Sequence, residues 1–162
     1  MNKLPHPKGR KVSQLSKKIV KAAAREKSKL RHQMKVNLLG ERLLWFKKNL
    51  EEVDIYTPQM TKKLIESYLG RFNAELEQIQ LKHSISKRKG RQHANREDII
   101  KMTITNEETE YNTCGIEMVD VLNPAQLDLL KKWSGELRYL QNFKLVRYTK
   151  KKLEDDINSV KS

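Results

Sequence analysis

Positive charge is distributed so unevenly along this chain that it decides how the first part can fold. Up to Val36 there are 12 lysines and arginines against one acid, Glu26, whereas the remaining residues hold 22 basic and 19 acidic side chains. The opening segment therefore accounts for +11 of a formal net charge of +14. Like charges at this density repel one another and oppose compaction unless a polyanion neutralises them. The segment is expected to be an arm, and a phosphate backbone is its expected counter-charge.

The rest of the pattern is helical. Six glycines and four prolines in 162 residues leave little material for loops, which favours long helices over many short strands. Residues 1–10, with two prolines and a glycine, read as extended. From Lys11 to Lys35 there is neither glycine nor proline. At 100° per residue, Leu15, Ile19, Ala22, Ala23, Leu30 and Met34 gather on one side of a helix, with Lys17, Lys18, Lys21, Arg25 and Lys35 on the other. Fully formed, that helix is roughly 37 Å long.

A second helix is predicted over Val36–Leu50, carried by Val36, Leu39, Leu43, Phe46 and Leu50. Trp45 widens its buried stripe, and Gly40 costs it about 1 kcal/mol relative to alanine and marks a candidate kink. A third starts with Thr57 as cap and Pro58 in the first turn, with a seam of Met60, Leu64, Tyr68, Phe72, Leu76 and Ile79. Residues 82–96 form a basic connector with no acid in it. Asn95 caps a fourth helix that turns acidic at Glu107-Glu108-Thr109-Glu110, read as a solvated face. Val119–Leu122 reads as extended, and Asn123-Pro124 opens a short last helix through Leu127, Leu130 and Trp133. Phe143–Tyr148 fits a short strand or an extended docking tail, and 149–162 read as frayed.

Two segments are candidates for binding. The arm can place Lys17, Lys18, Lys21 and Arg25 along a nucleic-acid backbone, with salt-dependent and largely sequence-independent affinity. In the connector, Lys87, Arg88, Lys89, Arg91 and Arg96 surround Gly90, where the backbone can approach a ligand closely. His83 and His93 add imidazoles able to stack on bases or bond phosphate. A nuclear-localisation signal or a merely solvated face would also account for the arm, an ordinary interhelical loop for the connector, and Lys150-Lys151-Lys152 reads equally as solubilising or binding. A membrane-surface role is disfavoured because the arm's apolar side has neither Trp nor Phe.

Catalytic and metal signatures are missing from the sequence. There is no Gly-x-Ser-x-Gly, no P-loop and no dinucleotide fingerprint. His83, His93 and Cys114 lack zinc-ligand spacing. The single cysteine excludes an internal disulfide framework and suits a reducing compartment. No stretch approaches the ~20 apolar residues that cross a bilayer. The chain is expected to be soluble and intracellular, with no enzyme activity, cofactor, metal or small-molecule substrate. Trp45, Phe46, Tyr68, Phe72 and Trp133 lie on helical seams, where packing is their expected role.

Several ordered pieces resemble one known family. They are His6-Pro7-Lys8-Gly9-Arg10-Lys11; Asn37-Leu38-Leu39-Gly40-Glu41-Arg42-Leu43 leading into Trp45-Phe46; Ile65-Glu66-x-Tyr68-Leu69-x-Arg71-Phe72 followed by Glu75-Leu76-Glu77-Gln78-Ile79; His83-Ser84-Ile85, Gly90-Arg91-x-His93 and Arg96-Glu97; and Gly115-x-Glu117, Asp120-x-Leu122-Asn123 and Trp133. Together they are similar to the translation machinery-associated protein 16 family over roughly residues 6–148. The resemblance implies a nuclear (nucleolar or nucleoplasmic), non-enzymatic factor on precursors of the large (60S) ribosomal subunit. Its implied partners are ribosomal RNA, large-subunit ribosomal proteins and other assembly factors, and its implied RNA contacts are Lys8, Arg10, Lys11, Arg91 and Arg96. Some members carry a long acidic C-terminal tail, and any function located in such a tail is not expected of residues 1–162.

The expected architecture is all-α: a bundle of three to four helices with a long basic helical arm and an extended C-terminal segment. It divides into an arm at 1–35, a helical core at 36–135 and a docking segment with frayed tail at 136–162. A DNA- or chromatin-binding module and a basic adaptor for an acidic protein share the same charge pattern.

Overall fold

A computed structural model describes residues 9–85 and 94–161. The chain forms α1 (Arg10–Lys48), α2 (Pro58–Leu69), a 3-10 turn (Gly70–Phe72), α3 (Asn73–Ile85) and α4 (Ala94–Asn112). There follow β1 (Ile116–Val119), α5 (Pro124–Lys132), a second 3-10 stretch (Leu137–Asn142), β2 (Leu145–Tyr148) and α6 (Lys150–Lys161). By contact density it divides into two units, Met1–Glu41 and Arg42–Ser162. Among the described residues no helix is long and apolar enough to cross a membrane.

The two predicted N-terminal helices are one. α1 runs through Gly40 without interruption, because one glycine costs less than abandoning the hydrogen bonds of a continuous helix on both sides of it. The third predicted helix is instead broken at Gly70, which ends α2 and donates its N–H to the carbonyls of Glu66 and Tyr68. The start of α2 is as read: Thr57 Oγ1 accepts from Met60 N at 3.3 Å, with Pro58 in the first turn. Asn123 caps α5 in the same way, accepting from Ala125 N at 3.0 Å.

The chain is mostly helical as expected, but two expectations need correction: the all-α class, because a small two-stranded sheet is present, and the frayed tail. β1 and β2 pair antiparallel in the register Ile116↔Tyr148 to Val119↔Leu145. Ile116, Met118, Val119 and Tyr148 are buried there. Gly115 makes the turn out of α4 possible: its φ is +85°, and a Cβ at that position would lie 2.9 Å from the carbonyl carbon of Tyr148. Only glycine adopts this conformation so close to another strand without strain. The second correction concerns the tail, which forms α6 where fraying was expected. Thr149 caps it, Leu153 is fully buried, and Lys62 of α2 bonds Glu154 at 2.9 Å.

The acidic run of α4 is a solvated face only in part: Glu108 and Thr109 are exposed, but Glu107 and Glu110 turn inward. Glu107 is only 8% exposed. Its carboxylate accepts from Arg71 at 2.6 and 2.8 Å and from the Tyr68 hydroxyl at 2.7 Å. Glu110 receives Arg42 through two bonds of 3.0 and 3.3 Å. Arg71 also lies over the Tyr68 ring at 3.7 Å and the Phe72 ring at 4.3 Å. Trp45, Phe46 and Tyr68 meet with centroids 4.9 to 5.7 Å apart, and Trp133 meets Phe143 edge-on at 5.5 Å. The aromatic residues on the seams therefore pack, as their spacing suggested.

Removing one partner from a carboxylate this enclosed leaves a desolvated charge, whereas removing both does not. Arg71→Met is expected to lower stability by about 3 kcal/mol, and the double variant Arg71→Met/Glu107→Met to recover most of it. Urea midpoints of the two variants check this; equal losses would show that the pair acts only by filling space. Alkaline pH provides a second check. Burial, followed by the Glu107 bond, pushes Tyr68 up to about 12, and burial raises Tyr111 to about 12 as well. The folded state then holds protons that the unfolded chain has released, so stability is complete below pH ~10 and falls as pH rises from there to about 12. Tyrosinate absorbance together with unfolding curves over that window measures it.

Candidate nucleic-acid interface

A helix is favoured over Arg10–Lys35 because no glycine or proline interrupts it and alanine, lysine, arginine, leucine and glutamine dominate. Its surroundings then differ from those of the other described helices. Every residue from Ser13 to Lys35 is exposed, on both faces. Of the residues predicted to contact RNA, Arg10, Lys11, Lys17, Lys18, Lys21 and Arg25 all lie here and are exposed. Projection puts Lys17, Lys21, Arg25 and Lys18 on one arc. Among the described residues, none of these cations has a carboxylate within 4.0 Å.

Reading the sequence missed three members. Lys27, Lys29 and Arg31 are equally exposed, and Lys29 falls about 20° from Lys18 on the projected helix. The signal for them is the unbroken helical run itself, which carries cations beyond those spaced regularly on one face. Opposite lies an exposed apolar stripe: Leu15 is 57% exposed, Ile19 61%, Leu30 58% and Met34 55%.

The connector is placed only at its edge. Lys8, Lys87, Arg88, Lys89, Arg91 and His93 lie outside the described residues. Arg96 is described, at the start of α4, and it has an internal partner. Its guanidinium donates to both carboxylate oxygens of Glu75, at 2.7 and 2.9 Å, and sits 5.9 Å from the centroid of Phe72. The Glu75 bond raises Arg96 above its ordinary value and holds Glu75 below the usual carboxylate range. Half of the Arg96 side chain remains exposed. His83 is half-buried, with Nδ1 3.7 Å from Glu97.

Elsewhere in the second unit, exposed or half-buried cations repeatedly sit beside acids. Lys144 bonds Asp120 at 3.0 Å, Arg147 lies 3.8 Å from Glu117, and Lys62 bonds Glu154. These pairs reduce the charge that unit offers to a polyanion. The arm has almost none of that internal compensation.

The arrangement defines a helical protein that displays a dense set of cationic side chains on one exposed helix. A family model described as translation machinery-associated protein 16 matches residues 1–150. The translation machinery-associated protein 16 of Danio rerio is 40% identical over 150 residues, covering 92% of this chain and 77% of that protein. The Drosophila melanogaster homolog is 40% identical over 147 residues, covering 90% and 82%. The Bos taurus protein is 38% identical over 144 residues, covering 88% and 71%. The chain belongs to the translation machinery-associated protein 16 family.

The exposed helix is electrostatically opposed to its own formation. Arg10 and Lys11 stand in the first turn, which has no acid, and so meet the positive end of the helix dipole. Lys17, Lys21, Arg25 and Lys29 follow at four-residue intervals, as do Lys27, Arg31 and Lys35, a spacing at which like charges destabilise a helix. Helix content is therefore expected to rise as salt is increased from 10 to 300 mM. Far-ultraviolet circular dichroism should show that rise, and it should shrink in the variant Lys17→Gln/Lys21→Gln/Arg25→Gln.

Proposed function

We propose that this chain is a non-catalytic assembly factor that binds ribosomal RNA and ribosomal proteins on the precursor of the large (60S) ribosomal subunit. It acts in the nucleus, in the nucleolus and nucleoplasm, and can travel to the cytoplasm with the particle. Family membership supports association with the translation machinery, and the exposed cationic helix of α1 is the observation that carries the RNA-binding reading. Lys17, Lys18, Lys21 and Arg25, joined by Arg10 and Lys11, replace counterions along the RNA backbone. Lys8 precedes them, and Lys87, Arg88, Lys89, Arg91, His93 and Arg96 form a second contact.

Binding relieves the repulsion that opposes the free helix, so ordering and neutralisation occur together. The entropy of ordering offsets part of the contact energy. The apolar stripe through Leu15, Ile19, Leu30 and Met34 supports simultaneous contact with protein, since a helix binding only phosphate has no use for it. The second unit supplies a stable body that docks on the particle and leaves it during maturation.

Reversing four charges tests the reading. The variant Lys17→Glu/Lys18→Glu/Lys21→Glu/Arg25→Glu is expected to lose most of its crosslinking to ribosomal RNA. The slope of log affinity against log salt should become shallower by about 3. Unchanged crosslinking would remove these side chains from the interface. In competition, structured RNA should displace duplex DNA; the opposite order would favour a chromatin module. Partners that survive nuclease treatment of purified complexes would favour an adaptor for an acidic protein.

A further inference from the structure

We propose that Ser13 and Ser28 are acceptor sites for an arginine-directed serine/threonine kinase, and that phosphate on them weakens the arm's hold on RNA. The consequence rests on the RNA-binding reading of the arm; the assignment of the acceptors does not.

Both serines follow an arginine by three residues, in Arg10-Lys11-Val12-Ser13 and Arg25-Glu26-Lys27-Ser28. Of all the serines and threonines in the chain, no other has an arginine at that offset. Kinases with an acid-lined substrate groove select for such a side chain, because a guanidinium pairs two-pronged with carboxylates. Both serines are exposed, within a stretch exposed from Ser13 to Lys35. A kinase must draw its acceptor segment into an extended form. A helix without packed faces and with repelling charges opens locally at low cost.

Geometry gives the modification its consequence. The two serines are 15 residues apart, roughly 22 Å along the helix and about 60° around it. On the projected helix Ser28 lies about 20° from Lys17, Lys21 and Lys35, inside the cationic arc. Its neighbours one turn away are Arg25, Arg31 and His32, and those of Ser13 are Arg10 and Lys17. A phosphate at either position pairs with these side chains and occupies cations that would otherwise meet RNA.

The transfer moves the γ-phosphoryl group of ATP to the serine Oγ. The new Oγ–P bond forms as the bond from the γ-phosphorus to the β,γ-bridging oxygen breaks. ADP leaves with that electron pair, and the hydroxyl proton passes to the base of the kinase. Each phosphoserine brings a charge of about −1.5 to −2. Two of them cancel roughly a third of the +11 carried up to Val36.

The test treats the full chain with Mg-ATP and a purified arginine-directed kinase, maps phosphate by mass spectrometry, and measures binding to deproteinised large-subunit ribosomal RNA across a salt series. Phosphate is expected on Ser13 and Ser28, with Arg10→Gln and Arg25→Gln each slowing its own site at least tenfold. The doubly modified chain should bind at least tenfold more weakly near 150 mM salt, with a salt slope shallower by about 3. The variant Ser13→Ala/Ser28→Ala should bind as the untreated chain does and resist the kinase. Phosphate confined to other positions, or indifference to the two arginine substitutions, overturns the acceptor assignment. Full modification with unchanged binding overturns the consequence. An untreated chain that does not bind the RNA defeats the RNA reading and the consequence together, while the phosphate map still decides the acceptors.

Discussion

The second unit is organised around one enclosed carboxylate. Glu107 of α4 accepts from Arg71, which follows α2 in the 3-10 turn, and from Tyr68 of α2. Arg42 of α1 reaches the same acidic run through Glu110 and comes within 4.0 Å of Glu107. An ionised carboxylate is tolerated at so little exposure only when its lone pairs are filled and opposite charges are adjacent. Both conditions are met by groups from α1, α2 and the 3-10 turn. The requirement is directional in a way that apolar packing is not. Phe46, Leu64, Ile65 and Ile100 fill volume and would accept several helix rotations, but Arg71 reaches both oxygens of Glu107 in only a narrow range of them.

Residues on which the family resemblance rests come together at this cluster. Arg42 belongs to the segment leading into Trp45-Phe46, and Tyr68, Arg71 and Phe72 belong to the segment beginning at Ile65. In a binding protein such polar residues invite a functional assignment. Their burial and pairing give them a different task, the fixing of helix registers. The binding candidates on α1 lie instead in a stretch exposed from Ser13 to Lys35.

How much of this could be read from the sequence followed from how local each signal is. Thr57-Pro58 and Asn123-Pro124 act within one turn, so both helix starts were legible. So was the arm, since charge and the absence of glycine and proline are properties of the segment itself. The break at Gly70 was missed because the seam through Tyr68 and Phe72 keeps its helical period across it. The β1–β2 pair joins residues about 30 positions apart, and no local pattern reports a partner that distant. α6 was taken for a frayed tail because Leu153 and Ile157 are its only apolar residues before Val160 in a run of lysines and acids; what stabilises it is a neighbour, α2. Glu107 was misread for the same reason. A glutamate among glutamates looks solvated until the arginines that fold over it are known.

That contrast bears on where a polyanion can be held. A cation already beside a carboxylate, such as Arg96 with Glu75 or Lys144 with Asp120, must weaken that pair before it gains a phosphate. The exchange returns little, because one anion replaces another. A cation on the arm is exposed to solvent, and in the proposed role the release of its counterions is the source of affinity. The same sequence choice that leaves the arm with a single acid, Glu26, therefore weakens it as a free helix and, in the proposed RNA-binding role, strengthens it as a ligand. Anionic groups added to the arm itself would act on both properties at once, which is why the proposal singles out serines among its basic residues.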